Sequence, residues 1–181
     1  MSNTAICVFC GSRFGARAEH RDLAFRVGQR LAEQQAELVY GGGALGLMGV
    51  VSDSVLAANG RVIGIIPRFL QSVEVQHQHL TRTIVTNGMF ERKQAMFDLS
   101  DGFLALPGGI GTLDEILEVL TWRQLKQVDK PLVLLSEDDF WDPFIAALDH
   151  AIAQEFAGEN IRSLYRAETS MDAAFAALGL G

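Results

Sequence analysis

The stretch that decides the fold prediction is residues 102–116, which read GFLALPGGIGTLDEI. Four of the five residues before Pro107 are apolar, as expected of a buried strand. A proline and three glycines follow, and apolar residues resume at helical spacing after Asp114 and Glu115. A buried strand, a glycine-rich turn and a helix together form one unit of an alternating α/β fold.

The same alternation of short apolar runs and longer amphipathic stretches extends along the chain. Strands are predicted at Ala5–Phe9, Leu38–Tyr40, Val62–Ile66, Thr83–Thr86, Phe103–Leu106 and Leu132–Leu135. Helices are predicted near residues 18–35, 47–58, 89–99, 112–126, 142–156 and 171–178. Asp142 is the predicted N-cap of the fifth helix, and Pro143 its first residue. This order predicts one α/β domain over residues 1–181, with a parallel sheet covered by helices on both faces.

The composition of the chain limits the partners to be expected. With 181 residues, 49% of them apolar, the chain is long enough for one well-buried core. A net charge of −7 disfavours binding to a nucleic-acid backbone. The first residues lack the pattern of a signal peptide, and no stretch approaches the roughly 20 apolar residues of a membrane span. We therefore expect a cytoplasmic protein that binds neither nucleic acid nor membranes.

Two pairs of side chains of the kind that bind metals are better explained without a metal. Cys7 and Cys10 form a C-x-x-C pattern inside the first strand, where a separation of three residues places the thiols on opposite faces. We therefore predict two core cysteines rather than a zinc or redox site. His77 and His79 stand in a polar connection without an acidic or cysteine partner, and we predict that both are surface histidines.

Glycines are concentrated where three predicted strands end. The first strand runs into Gly11 and Ser12, the second into GGGALGLMG at 41–49, and a later one into PGGIGT at 107–112. The carboxyl ends of parallel strands share one edge of the sheet, and bare amides at a helix N-terminus favour an anion. The loops therefore predict a site for a phosphate monoester, although tight turns alone also require glycine. They lack the context of a dinucleotide fingerprint and the lysine of a Walker loop.

Two interpretations of the nearby charged residues remain open from the residues alone. Thr112 and Glu115 have the T-x-x-E spacing of a helix capping box, which involves no chemistry. A carboxylate beside an anion site is nevertheless unfavourable unless it has a function. Arg92 and Lys93 fall on one side of a predicted helix, either as solvated side chains or as a basic pair directed into a cleft.

The motifs resemble those of a known family. MFERK at 89–93, followed by PGGIGTLDE at 107–115, looks like the paired signature of the Lonely Guy (LOG) family, and the similarity extends from CGS at 10–12 to DKP at 129–131. The resemblance implies a Rossmann-like homodimer that hydrolyses the N-glycosidic bond of adenine-type nucleoside 5′-monophosphates. It implies no metal or organic cofactor.

The resemblance also implies roles for individual residues. Arg92 and Glu115 match the catalytic arginine and glutamate of the family. Its substrate contacts, together with the glycine loops, give a predicted substrate-binding set of Ser12, Gly42, Gly43, Glu74, Lys93, Gly109, Ile110, Gly111, Thr112, Leu113, Asp114 and Thr121. Phe90 and Arg13 stand where relatives often have a histidine and a small residue, which leaves the preferred base open.

Two other functions compete with this one. A lysine decarboxylase, a label often given to the family, needs a lysine that binds pyridoxal, and no local context singles one out. A non-catalytic nucleotide carrier of the same fold needs the glycine loops but not a pair such as Arg92 and Glu115. The presence of that pair favours the hydrolase.

Overall fold

The computed structural model describes residues 4–71 and 75–181. Its strands are β1 (Ala5–Phe9), β2 (Glu37–Tyr40), β3 (Val62–Pro67), β4 (Arg82–Thr86), β5 (Gly102–Ala105), β6 (Leu132–Leu135) and β7 (Arg166–Glu168). Its helices are α1 (Ala18–Glu33), α2 (Gly46–Ala57), α3 (Met89–Leu99), α4 (Ile110–Gln124), α5 (Asp142–Ala153) and α6 (Met171–Ala177). None of these described helices has both the length and the apolar character that a bilayer crossing requires. Glu74, a predicted substrate contact, lies outside the described residues.

The strands form one parallel sheet in the order β4-β3-β2-β1-β5-β6-β7, which confirms the predicted α/β fold. The chain starts at β1 in the middle, winds outward to β4, and returns to the other side of β1 as β5. The direction of winding therefore reverses between β1 and β5, where Val8 pairs with Leu104. The loops after these two strands flank the crevice in which open α/β sheets bind their ligands.

Helices cover both faces of the sheet because alternate residues of each strand point to opposite sides. Val8 and Cys10 pack in a core with residues of α1, α2 and α6. Cys7 and Phe9 pack in a second core with residues of α3, α4 and α5. Both cysteines are buried and free, so the prediction of two core thiols on opposite faces is confirmed.

Strand β7 is missing from the sequence prediction because Arg166–Glu168 contains no apolar run. The three residues form an edge strand that pairs with Val133–Leu135 of β6, and their side chains are exposed or half-buried. Backbone pairing with an existing sheet edge, rather than burial of side chains, makes this segment a strand.

Helix α4 begins earlier than predicted, and this changes the interpretation of Glu115. The helix begins at Ile110 with Gly109 as its N-cap, so Thr112 is buried in the first turn and caps nothing. Thr112 packs against Gly108, where a Cβ would lie only 2.1 Å from the threonine hydroxyl oxygen. Glu115 therefore lies in the second turn of the helix, and its interpretation as a capping-box residue is wrong.

The N-cap of α5 is also shifted. Trp141 is the N-cap, so Asp142 and Pro143 are the first two residues of the helix rather than the cap and the first residue. Trp141 is buried, and its indole N–H donates to the carbonyl oxygen of Leu135 over 3.3 Å. Burial of the Trp141 side chain therefore determines where α5 begins.

Candidate functional site

Three glycine-rich loops meet at the carboxyl edge of the sheet, as predicted. The amide of Gly11 donates to the carbonyl oxygen of Pro107 over 3.1 Å, and the amide of Leu47 donates to the carbonyl oxygen of Gly11 over 3.0 Å. Gly46 has a φ of +61°, and a Cβ there would lie 2.2 Å from the carbonyl carbon of Ser12. Only glycine permits this close approach of the loops after β1 and β2.

A cleft of about 830 Å³ opens beside these loops, at the point where the winding of the sheet reverses. The N-terminus of α4 forms one wall, and neither Gly109 nor Gly111 would place a Cβ within 4 Å of other atoms. Their exposed backbone can therefore approach a ligand directly. The other walls are the loop after β1, the start of α2 and the loop after β6. Three residues of the predicted substrate-binding set line this cleft: Ser12, Gly109 and Ile110.

Arg92 lies beneath the second glycine loop and is buried, with only 4% of its surface exposed. Its Nη2 donates to the carbonyl oxygen of Gly41 over 2.9 Å, and its Nε donates to that of Ile65 over 3.1 Å. Its Nη1 lies 3.8 Å from the sulfur of Met89. The interpretation of Arg92 as a solvated side chain is therefore wrong, because two backbone carbonyls hold its guanidinium inside the protein.

Glu115 lies on the same side of the sheet as Arg92. Burial raises the pKa of the Cys7 thiol well above its ordinary value; the charge of Glu115 raises it further, whereas that of Arg92 lowers it. Burial, and then Glu115, also raise the pKa of Cys10. The charges of both members of the predicted catalytic pair thus act on one thiol in β1.

Lys93 binds two carboxylates of the neighbouring helix. Its Nζ lies 3.2 Å from Oδ2 of Asp114 and also forms an ion pair with Glu118. Partial burial lowers the pKa of Lys93, but the hydrogen bonds that its ammonium donates to Glu118 and Asp114 outweigh this effect, and the net pKa is raised. Lys93 is therefore protonated near neutral pH, and it joins α3 to α4.

The second glycine loop is held from outside by a segment that follows β3. The carbonyl oxygen of Gly42 accepts a hydrogen bond from the amide of His77 over 3.0 Å, and Gly43 forms a β-bridge with Gln76. His77 is buried, and its Nε2 lies 2.8 Å from Oδ1 of Asp53. The prediction that His77 is a surface histidine is therefore wrong. Its acidic partner is 24 residues away in the sequence, where no local pattern reveals it.

Not all of the predicted substrate-binding residues reach the cleft. Thr112 is buried and Leu113 half-buried in α4. Thr121 is exposed, but it lies eleven residues beyond Ile110 on the same helix, about 16 Å away along the axis.

The cleft also contains residues that sequence reasoning missed. Arg13, Arg17, His20 and Asp138 all line it. Nε2 of His20 lies 2.8 Å from Oδ2 of Asp138, and the guanidinium of Arg17 lies 3.4 Å from the same oxygen. Within residues 4–71 and 75–181, no group of three or more His, Cys, Asp or Glu side chains is arranged to hold a metal ion.

Solved structures of other proteins share this fold. A molybdenum cofactor binding protein from Rippkaea orientalis superimposes with a TM-score of 0.74 and 23% identity, covering 99% of this chain and 97% of that one. A molybdenum cofactor carrier protein from Chlamydomonas reinhardtii gives a TM-score of 0.69 and 21% identity, covering 98% and 97% of the two chains. At these identities the similarity shows the fold alone.

Sequence relatives are considerably closer. The cytokinin riboside 5′-monophosphate phosphoribohydrolase LOG of Oryza sativa subsp. japonica is 45% identical over 88% of this chain and 66% of its own length. Its Arabidopsis thaliana counterpart LOG2 is 40% identical over 88% of this chain and 75% of its own length. The family model described as "Possible lysine decarboxylase" matches residues 48–178. The chain therefore belongs to this family, which is the LOG family of the phosphoribohydrolases named above.

Proposed function

We propose that this chain hydrolyses the N-glycosidic bond of adenine-type, cytokinin-like nucleoside 5′-monophosphates, releasing the free base and ribose 5-phosphate. The observation that carries the proposal is the arrangement of α4. Its N-terminus presents exposed glycine amides to the cleft, and Glu115 follows five residues after Ile110, about 7.5 Å further along the axis. One helix thus offers a phosphate cradle and a carboxylate at a separation on the scale of a pentose phosphate.

The chemistry follows from this geometry. Cleavage of the bond passes through an oxocarbenium-like state with positive charge at C1′. The carboxylate of Glu115 stabilises that charge and orients the attacking water. The phosphate, held by the amides at Gly109–Gly111, supplies remote binding energy that positions C1′ against Glu115. Arg92, held by two carbonyls, stabilises negative charge on the substrate or on the departing base.

We propose further contacts between the protein and the substrate. Ser12, Gly42 and Gly43 belong to the two other glycine loops and border the ligand. Lys93 and Asp114 form an ion pair beside the cradle, and this pair positions the start of α4. The proposed contacts at the start of α4 are Gly109, Ile110 and Gly111. Glu74, Thr112, Leu113 and Thr121 complete the set of contacts that the family resemblance implies.

The description of the family model suggests a lysine decarboxylase. The raised pKa of Lys93 argues against that activity. A lysine that forms a Schiff base must lose its proton, which usually requires a lowered pKa. The pKa of Lys93 is instead raised, because Glu118 and Asp114 stabilise its charge. Lys130 donates from Nζ to the carbonyl oxygen of Phe97 over 2.7 Å, outside the cleft. A non-catalytic carrier remains the second candidate.

We also propose that the active form is a homodimer. Large apolar side chains are exposed on the adjacent helices α3 and α4, namely Phe90 (72%), Ile110 (82%) and Leu117 (46%). A second copy of the same patch would cover them beside the site. Light scattering tests this: Leu117→Asp should yield monomers. Phe25→Asp, a change at an equally exposed phenylalanine (46%) on α1, should not.

Product analysis tests the function itself. The purified protein is incubated with AMP, N6-isopentenyladenosine 5′-monophosphate or adenosine, and the products are separated by chromatography. Free base and ribose 5-phosphate from the monophosphates, with a much lower kcat/KM for adenosine, support the hydrolase. Tight binding of a nucleotide without any product would support the carrier instead.

We further propose that residues 1–181 act as one domain in the cytoplasm, which a single unfolding transition and cell fractionation would test.

A further inference from the structure

Arg13 lies where the three glycine loops meet. A Cβ on Gly11 would be 3.0 Å from the carbonyl oxygen of Arg13, and a Cβ on Gly46 would be 2.3 Å from its amide nitrogen. The backbone of Arg13 is therefore packed against the start of its own loop and against the glycine loop after β2. Its side chain is exposed and lines the cleft that also contains Gly108 and Gly109.

The charges around the cleft leave a phosphate only partly neutralised. A phosphate monoester carries about 1.5 to 2 negative charges near neutral pH, whereas a helix N-terminus supplies the equivalent of about half a positive charge. Arg92 is buried against carbonyl groups, Lys93 is paired with two carboxylates, and Arg17 is paired with Asp138. Within the part of the chain that the structure describes, no carboxylate pairs with Arg13.

The loop that bears Arg13 is anchored at its far end. Arg17 and His20 both bind Oδ2 of Asp138, so the loop after β1 is tied to the loop after β6. His20 is buried, and its ring packs edge-on against Phe140 at 5.7 Å. An anchored backbone reduces the conformational entropy that Arg13 loses when it binds a ligand.

We propose that Arg13 binds the 5′-phosphate of the substrate and thereby strengthens the binding of phosphorylated nucleosides beyond what the amides of α4 provide. The inference rests on the proposed function for the identity of the substrate. The guanidinium supplies charge-assisted hydrogen bonds to phosphate oxygens in addition to those from the amides of α4. Arg13 is a binding residue for the phosphate and takes no part in breaking the glycosidic bond.

The test compares Arg13→Gln and Arg13→Lys with wild type. For Arg13→Gln we expect the KM for AMP to rise about 10-fold or more while kcat stays within about 2-fold, because a lost charge-assisted contact weakens binding of substrate and transition state alike. Kinetics with adenosine should not change. Arg13→Lys should recover part of the affinity. Arg82→Gln, the same charge change at the first residue of β4 on the opposite edge of the sheet, is the matched control.

Calorimetry with ribose 5-phosphate separates this inference from the proposed function. Weaker binding of ribose 5-phosphate to Arg13→Gln than to wild type supports the inference even when wild type does not hydrolyse AMP, in which case only the proposed function fails. Equal affinities in both proteins, or an unchanged KM for AMP, overturn the role of Arg13. A rise in KM that Arg82→Gln reproduces overturns it as well, because a general charge effect would then explain the result.

Discussion

Nη2 of Arg92 donates to the carbonyl oxygen of Gly41 over 2.9 Å, and a Cβ on Gly41 would lie only 2.1 Å from that same nitrogen. Gly41 is therefore required for space, because a methyl group would occupy the position of the guanidinium. The second glycine loop and the proposed catalytic arginine fix one another in place. Substitutions of Gly41 and of Arg92 should separate the effect of positioning the guanidinium on catalysis from the effect of the contact on folding stability.

Gly41→Ala should displace the guanidinium of Arg92. Misplacement of a reacting group by about 1 Å can cost roughly 100-fold in rate, so we expect kcat for AMP to fall by about that factor. The control is Gly88→Ala, at the N-cap of the helix that carries Arg92, where a Cβ would meet nothing within 4 Å. Near-normal kcat in Gly41→Ala would contradict the proposed role of the contact.

Arg92→Ala should lose both activity and stability. Loss of its charge at the site should cost about 2–4 kcal/mol of transition-state stabilisation, or roughly 30- to 1000-fold in kcat/KM. The buried carbonyl groups of Ile65 and Gly41 lose their donor, so the free energy of unfolding should fall by about 1–3 kcal/mol. Steady-state kinetics and urea unfolding measure the two effects.

Met96→Ala is the control for Arg92→Ala. Met96 is buried one turn further along α3, and its truncation should cost about 2–5 kcal/mol without removing a charged group. If Met96→Ala lost as much activity as Arg92→Ala under conditions where both are folded, a general disturbance of the packing of α3 rather than loss of the charged group would explain the arginine variant.

Glu115→Gln should remove the chemistry and preserve the fold. Glutamine keeps the shape and polarity of the side chain and its position in the second turn of α4, so we expect the protein to remain folded. Glutamine presents no full charge to an oxocarbenium ion and does not act as a base, so kcat should fall by about 100-fold or more. Asp114→Asn, the same change at the adjacent exposed residue, should have a smaller kinetic effect. Equal losses in the two variants would argue against a special role for Glu115.

Gly109→Ala should weaken binding of the phosphate without harming the fold. Gly109 has a φ of −103°, which alanine adopts freely, and a Cβ there would meet no atom within 4 Å. Stability should stay constant or rise slightly, because alanine restricts the unfolded chain. The added methyl group would occupy the space in front of the amides, so the KM for AMP should rise while kinetics with adenosine stay the same. An unchanged KM would place the phosphate elsewhere.

The two buried thiols should make stability fall in alkaline solution. Burial raises the pKa of both Cys7 and Cys10 above their ordinary value of 9.0. In the unfolded chain the thiols lose their protons from about pH 9, whereas in the folded chain they keep them. Their stabilising contribution is thus complete below that pH and is lost as the pH rises. The loss should approach about 1.4 kcal/mol per pH unit for each thiol.

Urea unfolding between about pH 7.5 and about pH 9.5 measures this effect. A variant carrying both Cys7→Ala and Cys10→Ala should show a clearly flatter dependence on pH. The same slope in the variant and in wild type would assign the effect to other groups.

Local patterns in the sequence predicted most of the architecture. The apolar run of β1 predicted a buried strand, and its alternation placed Cys7 and Cys10 on opposite faces, because side chains along a strand alternate with a period of two. The glycine loops after β1, β2 and β5 were predicted to lie at one edge, because parallel strands all end on the same side. Both inferences depend only on neighbouring residues and on the handedness of the crossovers.

The tertiary structure alone decided which side chains the loops and helices hold. Arg92 is buried by carbonyl groups 27 and 51 residues away, and His77 by a carboxylate 24 residues away. Thr112 was displaced from its predicted role as a cap because it packs against Gly108. The burial of Arg92 and His77 depends on hydrogen-bond partners supplied by distant segments, whereas Thr112 packs against a residue only four positions away. A period of two or 3.6 residues identifies the face that a side chain occupies, but it carries no information about the group that meets it there.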